Sequence, residues 1–544
     1  MGQKEGEKSY ITFFFTSFRN TYGWESTDHN LCSDYYMSTF KKAVLFVLHM
    51  SYLKSALRGT AWVMFFHIAA SIVSYVNRIV LARNMTPSEY GVFYSVFTFV
   101  TFFLFFRELG LLQALSKYIP EYKLQERYDL VKSAIVTTTL MQFAGSVLFS
   151  IAFYASAGYL SQHYFRAPEA DFYLKFLIIY FLASVIFRTM KSVLQGFQSM
   201  FWFASSEFVK NVVTLLLTLL FFSLGFGIRT PLYAFVFVFP LMIVLYAIPT
   251  LRSYNIFAYN TSEFRRISAQ LFLFSTPVFL SSVATKIIGY VDTLILTYYR
   301  SSAEVGIYNV ILPTALIFLF IGQGVSATIF PLSSELWAKN DKKRLADGLQ
   351  LIYKYIFLLS IPIIGTVLVY SYEFIATFFG VEYAGGAFAL QILLFGVLFY
   401  TVSLINENIV SGIGKPHIIM KIIVAAAIVN IVINFMFIPS FGINGAAVAT
   451  TVSYVMMFIF TTARAARFVE MKLPFYEWGK LLVPTAAFFA VHLVVRYASL
   501  SFLHNFWANA LVVTVIAGLA YTSVAFALGL FSFSDVRKLI LRLV

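Results

Sequence analysis

Long apolar stretches alternate with short polar connections along this chain between residues 59 and 531. A transmembrane helix needs about 20 consecutive, predominantly apolar residues. About 14 stretches meet that requirement. The pattern therefore predicts an all-α polytopic membrane protein with about 14 transmembrane helices.

Composition supports this class of protein. Sixty per cent of the residues are hydrophobic and only 12% are charged, which a soluble globular domain does not show. The net charge of +15 would indicate nucleic-acid binding in a soluble protein. In a membrane protein it reflects Lys and Arg in cytoplasmic connections, so no nucleic-acid partner is predicted.

The sequence offers few candidate catalytic or metal-binding residues. The single cysteine, Cys32, excludes an intramolecular disulfide and a Cys-rich metal site. The seven histidines form no metal-binding spacing, and the chain has no P-loop. The sequence therefore predicts a protein that is not an enzyme and that uses no metal or cofactor.

The distribution of Lys and Arg predicts the orientation. With the N-terminus inside, the outer connections hold only five cations, which are Arg83, Arg166, Arg229, Arg300 and Arg496. The inner connections hold several times as many, and that count includes Lys191 and Lys210. Because positive charge marks the cytoplasmic side, both termini are predicted to be cytoplasmic, in a multi-pass protein of the plasma membrane.

An internal repeat divides the chain. Residues Tyr75–Phe93 align without a gap with Tyr290–Tyr308, 215 positions later, so that Gly91 matches Gly306. Each half then holds six spans in the same orientation, as in two-lobed transporters. The predicted divisions are an N-terminal cytoplasmic or interfacial extension (1–57), an N-lobe (58–255), a C-lobe (256–470), and two further helices with a cytoplasmic tail (471–544).

The extension at residues 1–57 has two readings. It is polar and aromatic, with no ordered signal-peptide regions. Either translation begins at Met50, or the extension lies on the membrane surface.

Charged residues within the spans carry the functional information. Lys286 is central in its span, and Asp292 lies in the same span. A charge at that depth is costly unless it faces protein or water. The favoured interpretation is therefore that these residues line a polar pathway through the membrane. A snorkelling side chain or a structural ion pair is the alternative.

Three further cations lie within spans: Arg78, Arg107 and Arg188. Together with Lys286 they predict a basic lumen that binds an anion such as phosphate. Arg78 and Arg107 lie close enough to an interface to snorkel instead. Asp292 is predicted either to bind a coupling Na⁺ or H⁺ or to pair with an Arg or Lys, and pairing is favoured.

Several segments resemble one transporter family. The stretch Leu81–Tyr122 is similar to the opening of Wzx-type oligosaccharide flippases, the polysaccharide biosynthesis transporters. Phe378–Gly386, Gly412–Pro416 and Asn430–Thr450 resemble that family's second lobe. The resemblance covers about residues 52–470. It implies the fold of the MOP superfamily, in which two six-helix lobes form a V around a central cavity.

The resemblance also implies a function. It predicts flipping of a polyprenyl phosphate- or pyrophosphate-linked oligosaccharide from the cytoplasmic to the outer leaflet, by alternating access, for assembly of surface polysaccharide or glycan. Membrane lipids are implied partners, and a glycan polymerase or ligase is a candidate partner. The alternatives are a cation-coupled multidrug exporter of the same superfamily and a non-transporting scaffold for polysaccharide enzymes.

Overall fold

The computed structural model describes residues 62–499 and 506–530. Within helices, the side chains at 277–278, 280–285, 327 and 496–499 are not described. The N-terminal extension, the alternative start at Met50 and most of the cytoplasmic tail lie outside the described residues. All contacts discussed below lie within the compact unit that begins at Phe65.

Helices joined by short turns make up the described part of the chain, which contains no β-strand. The first group is called the N-lobe: α1 Trp62–Arg83, α2 Pro87–Glu108, α3 Leu111–Leu124, α4 Tyr128–His163, α5 Glu169–Gly196, α6 Met200–Ser223 and α7 Thr230–Ser253.

The second group is called the C-lobe: α8 Phe264–Tyr299, α9 Ser302–Leu316, α10 Phe320–Ala338, α11 Lys342–Val369, α12 Ser371–Phe378, α13 Ala387–Gly412 and α14 Pro416–Val469. The two remaining helices pair with each other and pack on α11: α15 Phe475–Ser499 and α16 Phe506–Ala527.

Twelve helical stretches of the described residues are long and apolar enough to cross a membrane. This agrees with the predicted multi-pass, all-α class. The 54-residue helix α14 covers two predicted spans and is interrupted at Gly442, where φ is 56° and ψ is −130°. Only glycine adopts such a conformation readily. The total of 14 spans stays a prediction.

The repeat is visible in the local structure. Thr86 caps α2 by accepting a hydrogen bond from the backbone N–H of Glu89. Ser301, 215 positions later, caps α9 by accepting one from the N–H of Glu304. The same capping chemistry therefore starts both helices, since a hydroxyl at this position satisfies a free N–H.

The two lobes meet where these helices begin, which is the predicted outer end. There α2 packs on α9 at Gly91 and Gly306. The Tyr383 hydroxyl donates a hydrogen bond to the carbonyl of Met85 at 3.0 Å, which adds a second contact between the lobes at this end.

Helix α8 connects the lobes along its length. Near its start, at the predicted cytoplasmic end, Gln270 accepts a hydrogen bond from Tyr122 of the N-lobe at 3.2 Å. Near its other end, the carbonyl of Leu294 accepts one from Tyr164 at 2.7 Å. Between these points α8 also packs on α14 of the C-lobe, so it belongs to both contact surfaces.

Candidate functional site

A cavity of about 400 Å³ lies within the N-lobe. Its walls come from α3, α5, α6 and α7. Helix α3 reaches this position because Leu109 and Gly110, both with positive φ, turn the chain between α2 and α3. The lining residues are Leu112, Gln113, Ser116, Phe187, Arg188, Lys191, Ser192, Gln195, Phe203, Glu207, Lys210 and Phe239.

The cavity wall is dominated by positive charge. Arg188, Lys191 and Lys210 are cationic, and Glu207 is the acid among the lining residues. Glu207 lies between the two lysines and accepts hydrogen bonds from Lys191 at 2.6 Å and from Lys210 at 2.5 Å. One carboxylate therefore neutralises only one of the two ammonium groups that bind it. The triad of Lys191, Glu207 and Lys210 thus carries a net charge of +1.

Arg188 is the predicted lumen residue that the structure places on this wall. Its side chain is 34% exposed, and its Nη1 forms a short ion pair with Oε1 of Glu108. Arg188, Lys191 and Gln195 are three and four residues apart on α5, so they share one helical face. The cavity thus presents a basic stripe of that helix.

Arg107 lies behind the cavity rather than on its wall, which corrects the expectation that it lines the lumen. The residue is 1% exposed. Its Nη1 donates to the carbonyl of Phe181 at 2.6 Å and to Ser184 at 3.0 Å. A charged side chain buried in this way is held by helices α2, α4 and α5, and its Nη2 lies 3.7 Å from Glu108.

Arg78 lies between the two lobes. Its Nη1 donates a hydrogen bond to the carbonyl of Asn309 on α9 at 3.2 Å. Its guanidinium carbon is 4.9 Å from the centre of the Tyr94 ring. The residue therefore touches both lobes, but it does not line the N-lobe cavity.

Lys286 is exposed on α8. No residue of the described ranges forms an ion pair or a hydrogen bond with it. Tyr290, one turn further along the same face, makes an edge-to-face contact with the ring of Phe102 of the N-lobe, with the ring centres 6.4 Å apart. The face that carries Lys286 is thus turned toward the N-lobe, although the structure does not bring all four predicted cations into one cluster.

Asp292 lies inside the C-lobe and is 1% exposed. Its carboxylate accepts hydrogen bonds from the Tyr308 hydroxyl at 2.6 Å and from the Asn434 amide at 2.6 Å. A third, short bond comes from the Thr450 hydroxyl. All three donors are uncharged.

The favoured expectation that Asp292 pairs with an Arg or Lys is therefore wrong for the described part of the chain, where no such cation lies within ion-pair distance. The coupling-ion alternative remains. In the N-lobe, the repeat places Asn77 at the equivalent position. The carboxylate is therefore specific to the C-lobe.

Sequence reasoning missed the triad of Lys191, Glu207 and Lys210 as a site. It counted both lysines among the inner connections, where they served to predict orientation. The available signal was the spacing of Arg188 and Lys191 on one face, together with an acid at Glu207 three residues before Lys210. Among residues 62–499 and 506–530, no group of three or more His, Cys, Asp or Glu side chains is placed to hold a metal ion.

Comparison with known proteins places these features in a family. Residues 56–337 match the family described as polysaccharide biosynthesis protein, and residues 277–436 match the MatE family. The chain is 30% identical over 498 residues to an uncharacterized membrane protein of Methanocaldococcus jannaschii, covering 89% of this chain and 96% of that protein.

A named flippase is also similar. The probable low-salt glycan biosynthesis flippase Agl15 of Haloferax volcanii is 27% identical over 209 residues, which cover 38% of this chain and 44% of that protein. Among solved structures, the lipid II flippase MurJ in an inward closed conformation superposes with a TM-score of 0.69. That likeness covers 85% of this chain and 99% of the other at 18% identity, so it shows a shared fold.

Proposed function

This chain belongs to the polysaccharide biosynthesis protein family, in the MOP superfamily of membrane transporters, and on that premise we propose that it is a flippase for a polyprenyl-linked glycan. The substrate is an oligosaccharide joined to polyprenyl phosphate or pyrophosphate. It moves from the cytoplasmic to the outer leaflet of the plasma membrane by alternating access. Both termini are then cytoplasmic.

The observation that carries this proposal is the basic cavity in the N-lobe. A phosphate or pyrophosphate group cannot cross hydrocarbon without a large desolvation cost. Arg188, Lys191 and Lys210 supply three cations on the cavity wall. Glu108 pairs with Arg188, and Glu207 pairs with both lysines, so the positive charge remains in excess. Arginine binds phosphate oxygens in a bidentate way, and lysine binds them as a point charge. The cavity thus suits an anionic head group, while the prenyl chain stays in lipid.

Contacts join the lobes at both ends, so alternating access requires the contacts at each end to open in turn. At the predicted outer end the lobes touch directly through Gly91 and Gly306. At the predicted cytoplasmic end, the N-lobe contacts the start of α8 through Tyr122 and Gln270. We propose that release to the outer leaflet requires separation of α2 from α9. Arg78, which touches both lobes, and Lys286, on the face of α8 turned toward the N-lobe, then contribute positive charge along the route.

Asp292 is the proposed site of the coupling ion. The carboxylate is buried among three neutral donors, with no Arg or Lys of the described residues in contact. A buried carboxylate without a cationic partner is costly. Binding of a monovalent cation or a proton would remove that cost. Occupancy of Asp292 would then shift the equilibrium between the inward-open and outward-open states that alternating access requires.

A multidrug exporter is the main competing function, because residues 277–436 match the MatE family. The net charge of the cavity argues against a cationic drug. Such a substrate would face the three cations Arg188, Lys191 and Lys210. The two acids that pair with them, Glu108 and Glu207, do not balance their charge. A glycan polymerase or ligase that receives the flipped substrate remains a candidate partner.

Native mass spectrometry of the protein, extracted from its own membranes in mild detergent, tests this proposal. Blocking the cell's glycan ligation beforehand allows the donor lipid to accumulate. We expect a bound mass that matches a polyprenyl phosphate or pyrophosphate glycan. The double variant R188Q/K210Q should lose that mass. The matched change K339Q, at an exposed pair with Glu335, should retain it. Only ordinary phospholipid on the unaltered protein would contradict the proposal.

A further inference from the structure

The N-lobe cavity carries uncharged hydrogen-bonding groups beside its cations. Gln113 on α3 and Gln195 on α5 both line it, and both residues are exposed. Ser116 donates a hydrogen bond to Oε1 of Gln195 at 3.0 Å. Within the described ranges, no residue accepts a hydrogen bond from either glutamine amide N–H₂ group. Each amide therefore offers donors to the cavity, and each can also accept.

Three phenyl rings line the same space. Phe187, Phe203 and Phe239 come from α5, α6 and α7. The ring centres of Phe187 and Phe239 are 6.0 Å apart. A wall of aromatic rings with a few fixed polar groups is the usual composition of a small-molecule site. Amide groups and ring surfaces in one cavity complement a pyranose, which has hydroxyls around its rim and C–H groups on its faces.

The cations lie in the same cavity as these groups. Lys191 Nζ is 5.5 Å from the centre of the Phe203 ring, so charge and ring surface are adjacent. The triad of Lys191, Glu207 and Lys210 retains one uncompensated positive charge. A ligand that fits must therefore present a negative group directly beside a neutral, hydroxyl-rich ring.

Size limits what the cavity holds. Its volume of about 400 Å³ is near the lower end of the range for small-molecule sites, roughly 300–1,000 Å³. A whole oligosaccharide does not fit in that volume. One sugar ring with its phosphate is a better match.

We propose that this cavity binds the first sugar of the lipid-linked glycan, the one joined directly to the phosphate. Gln113 and Gln195 hydrogen-bond its hydroxyls, a phenyl ring packs on its C–H face, and Lys191 and Lys210 neutralise the adjacent phosphate. The remaining sugars extend out of the cavity. This inference rests on the proposed function and adds that the N-lobe recognises the reducing-end sugar.

Two kinds of probe separate the sugar from the phosphate. The full chain in lipid nanodiscs is titrated with bare polyprenyl phosphate and with the same lipid carrying mannose, glucose or N-acetylglucosamine. Two or more neutral hydrogen bonds give an expected preference of about tenfold for at least one sugar-bearing lipid. The double variant Q113L/Q195L should lose that preference and keep its affinity for bare polyprenyl phosphate.

Matched controls keep the test specific. The change Q125L alters a glutamine at the end of α3 that does not line the cavity, so the preference should persist. The change K210Q should weaken binding of both lipids alike. If the double variant fails to fold, the single variant Q195L replaces it. We then expect a smaller loss of the preference for the sugar-bearing lipid.

Three results would overturn the inference. Equal affinity for bare and sugar-bearing lipid in the unaltered protein would remove the sugar site and leave the phosphate site standing. A preference that survives in Q113L/Q195L would place the sugar elsewhere. Failure of every lipid to bind would overturn the proposed function together with this inference.

Discussion

Gly91 and Gly306, which the sequence repeat aligns, contact each other through their backbones. A Cβ on Gly306 would lie 2.0 Å from the carbonyl oxygen of Pro87, and a Cβ on Gly91 would lie 1.7 Å from that of Ser302. Pro87 and Ser302 are themselves 215 positions apart, so the contact is reciprocal. The pseudo-two-fold axis between the lobes therefore passes between the two glycines.

This crossing leaves no room for a side chain, so G91A or G306A should push α2 and α9 apart. We expect a destabilisation on the order of 1–3 kcal/mol for either change, because overpacking at a tight contact forces the backbone to shift. Thermal unfolding in detergent measures it as a lower midpoint. The control G158A adds the same methyl group in α4, where no atom lies within 4 Å. Equal midpoints for G306A and G158A would contradict the close crossing.

Removing the charge of Asp292 should affect transport more than substrate binding. In D292N the carboxylate is replaced by an amide of nearly the same shape, so the C-lobe no longer offers a charge to a coupling ion. We expect a loss of transport of roughly tenfold or more, since a typical coupling free energy corresponds to about 5–150-fold. Lipid occupancy measured by native mass spectrometry should stay unchanged.

The control for this change is D171N, which alters a half-buried acid paired with Lys175. Transport by that variant should match the unaltered protein. A D292N protein with full transport would rule out Asp292 as the coupling site.

Glu207 should limit the affinity of the cavity for anions. It binds both Lys191 and Lys210, so E207Q frees two ammonium groups and adds one net positive charge to the wall. We expect several-fold tighter binding of polyprenyl pyrophosphate than of polyprenyl phosphate in this variant, because Coulomb attraction grows with ligand charge. Titration of both lipids in nanodiscs measures the ratio. An unchanged or weaker pyrophosphate affinity in a folded E207Q protein would contradict the assigned role.

A pH-dependent contact joins the N-lobe to the start of α8. Arg127 donates a hydrogen bond to Glu263 at 2.9 Å, which holds the pKa of that carboxyl below its usual range. A lowered folded-state pKa stabilises the protein fully above the unfolded value of about 4.3, and this stabilisation is lost as pH falls through the lower, folded-state pKa. Thus E263Q should lower the unfolding midpoint at pH 7 and lower it less near pH 3. The neighbouring change E126Q, at an exposed glutamate outside any ion pair of the described residues, is the control. A midpoint difference for E263Q that is as large near pH 3 as at pH 7 would refute this contact.

The sequence predicted the helices and the repeat well, because apolar length and residue spacing are local properties. It could not show which face of each span meets a neighbour. Arg107 and Arg188 therefore looked alike in sequence, yet one is enclosed between helices and the other lines a cavity.

Long-range contacts explain the other misses. Thr450 is 158 residues from Asp292, and no spacing rule connects them. The neutral environment of that carboxylate was therefore invisible in the sequence. The same limit applied to Lys191 and Glu207, whose contact depends on how α5 packs against α6.

Flipping in reconstituted vesicles tests the central claim most directly. A fluorescent polyprenyl phosphate-linked sugar is incorporated into vesicles with the purified chain, and an impermeant quencher reports the fraction that reaches each leaflet. We predict rapid exchange between leaflets with the unaltered protein, and exchange near the protein-free rate with R188Q/K210Q. Rapid exchange by that double variant, or none by the unaltered protein under any ion gradient, would contradict the account.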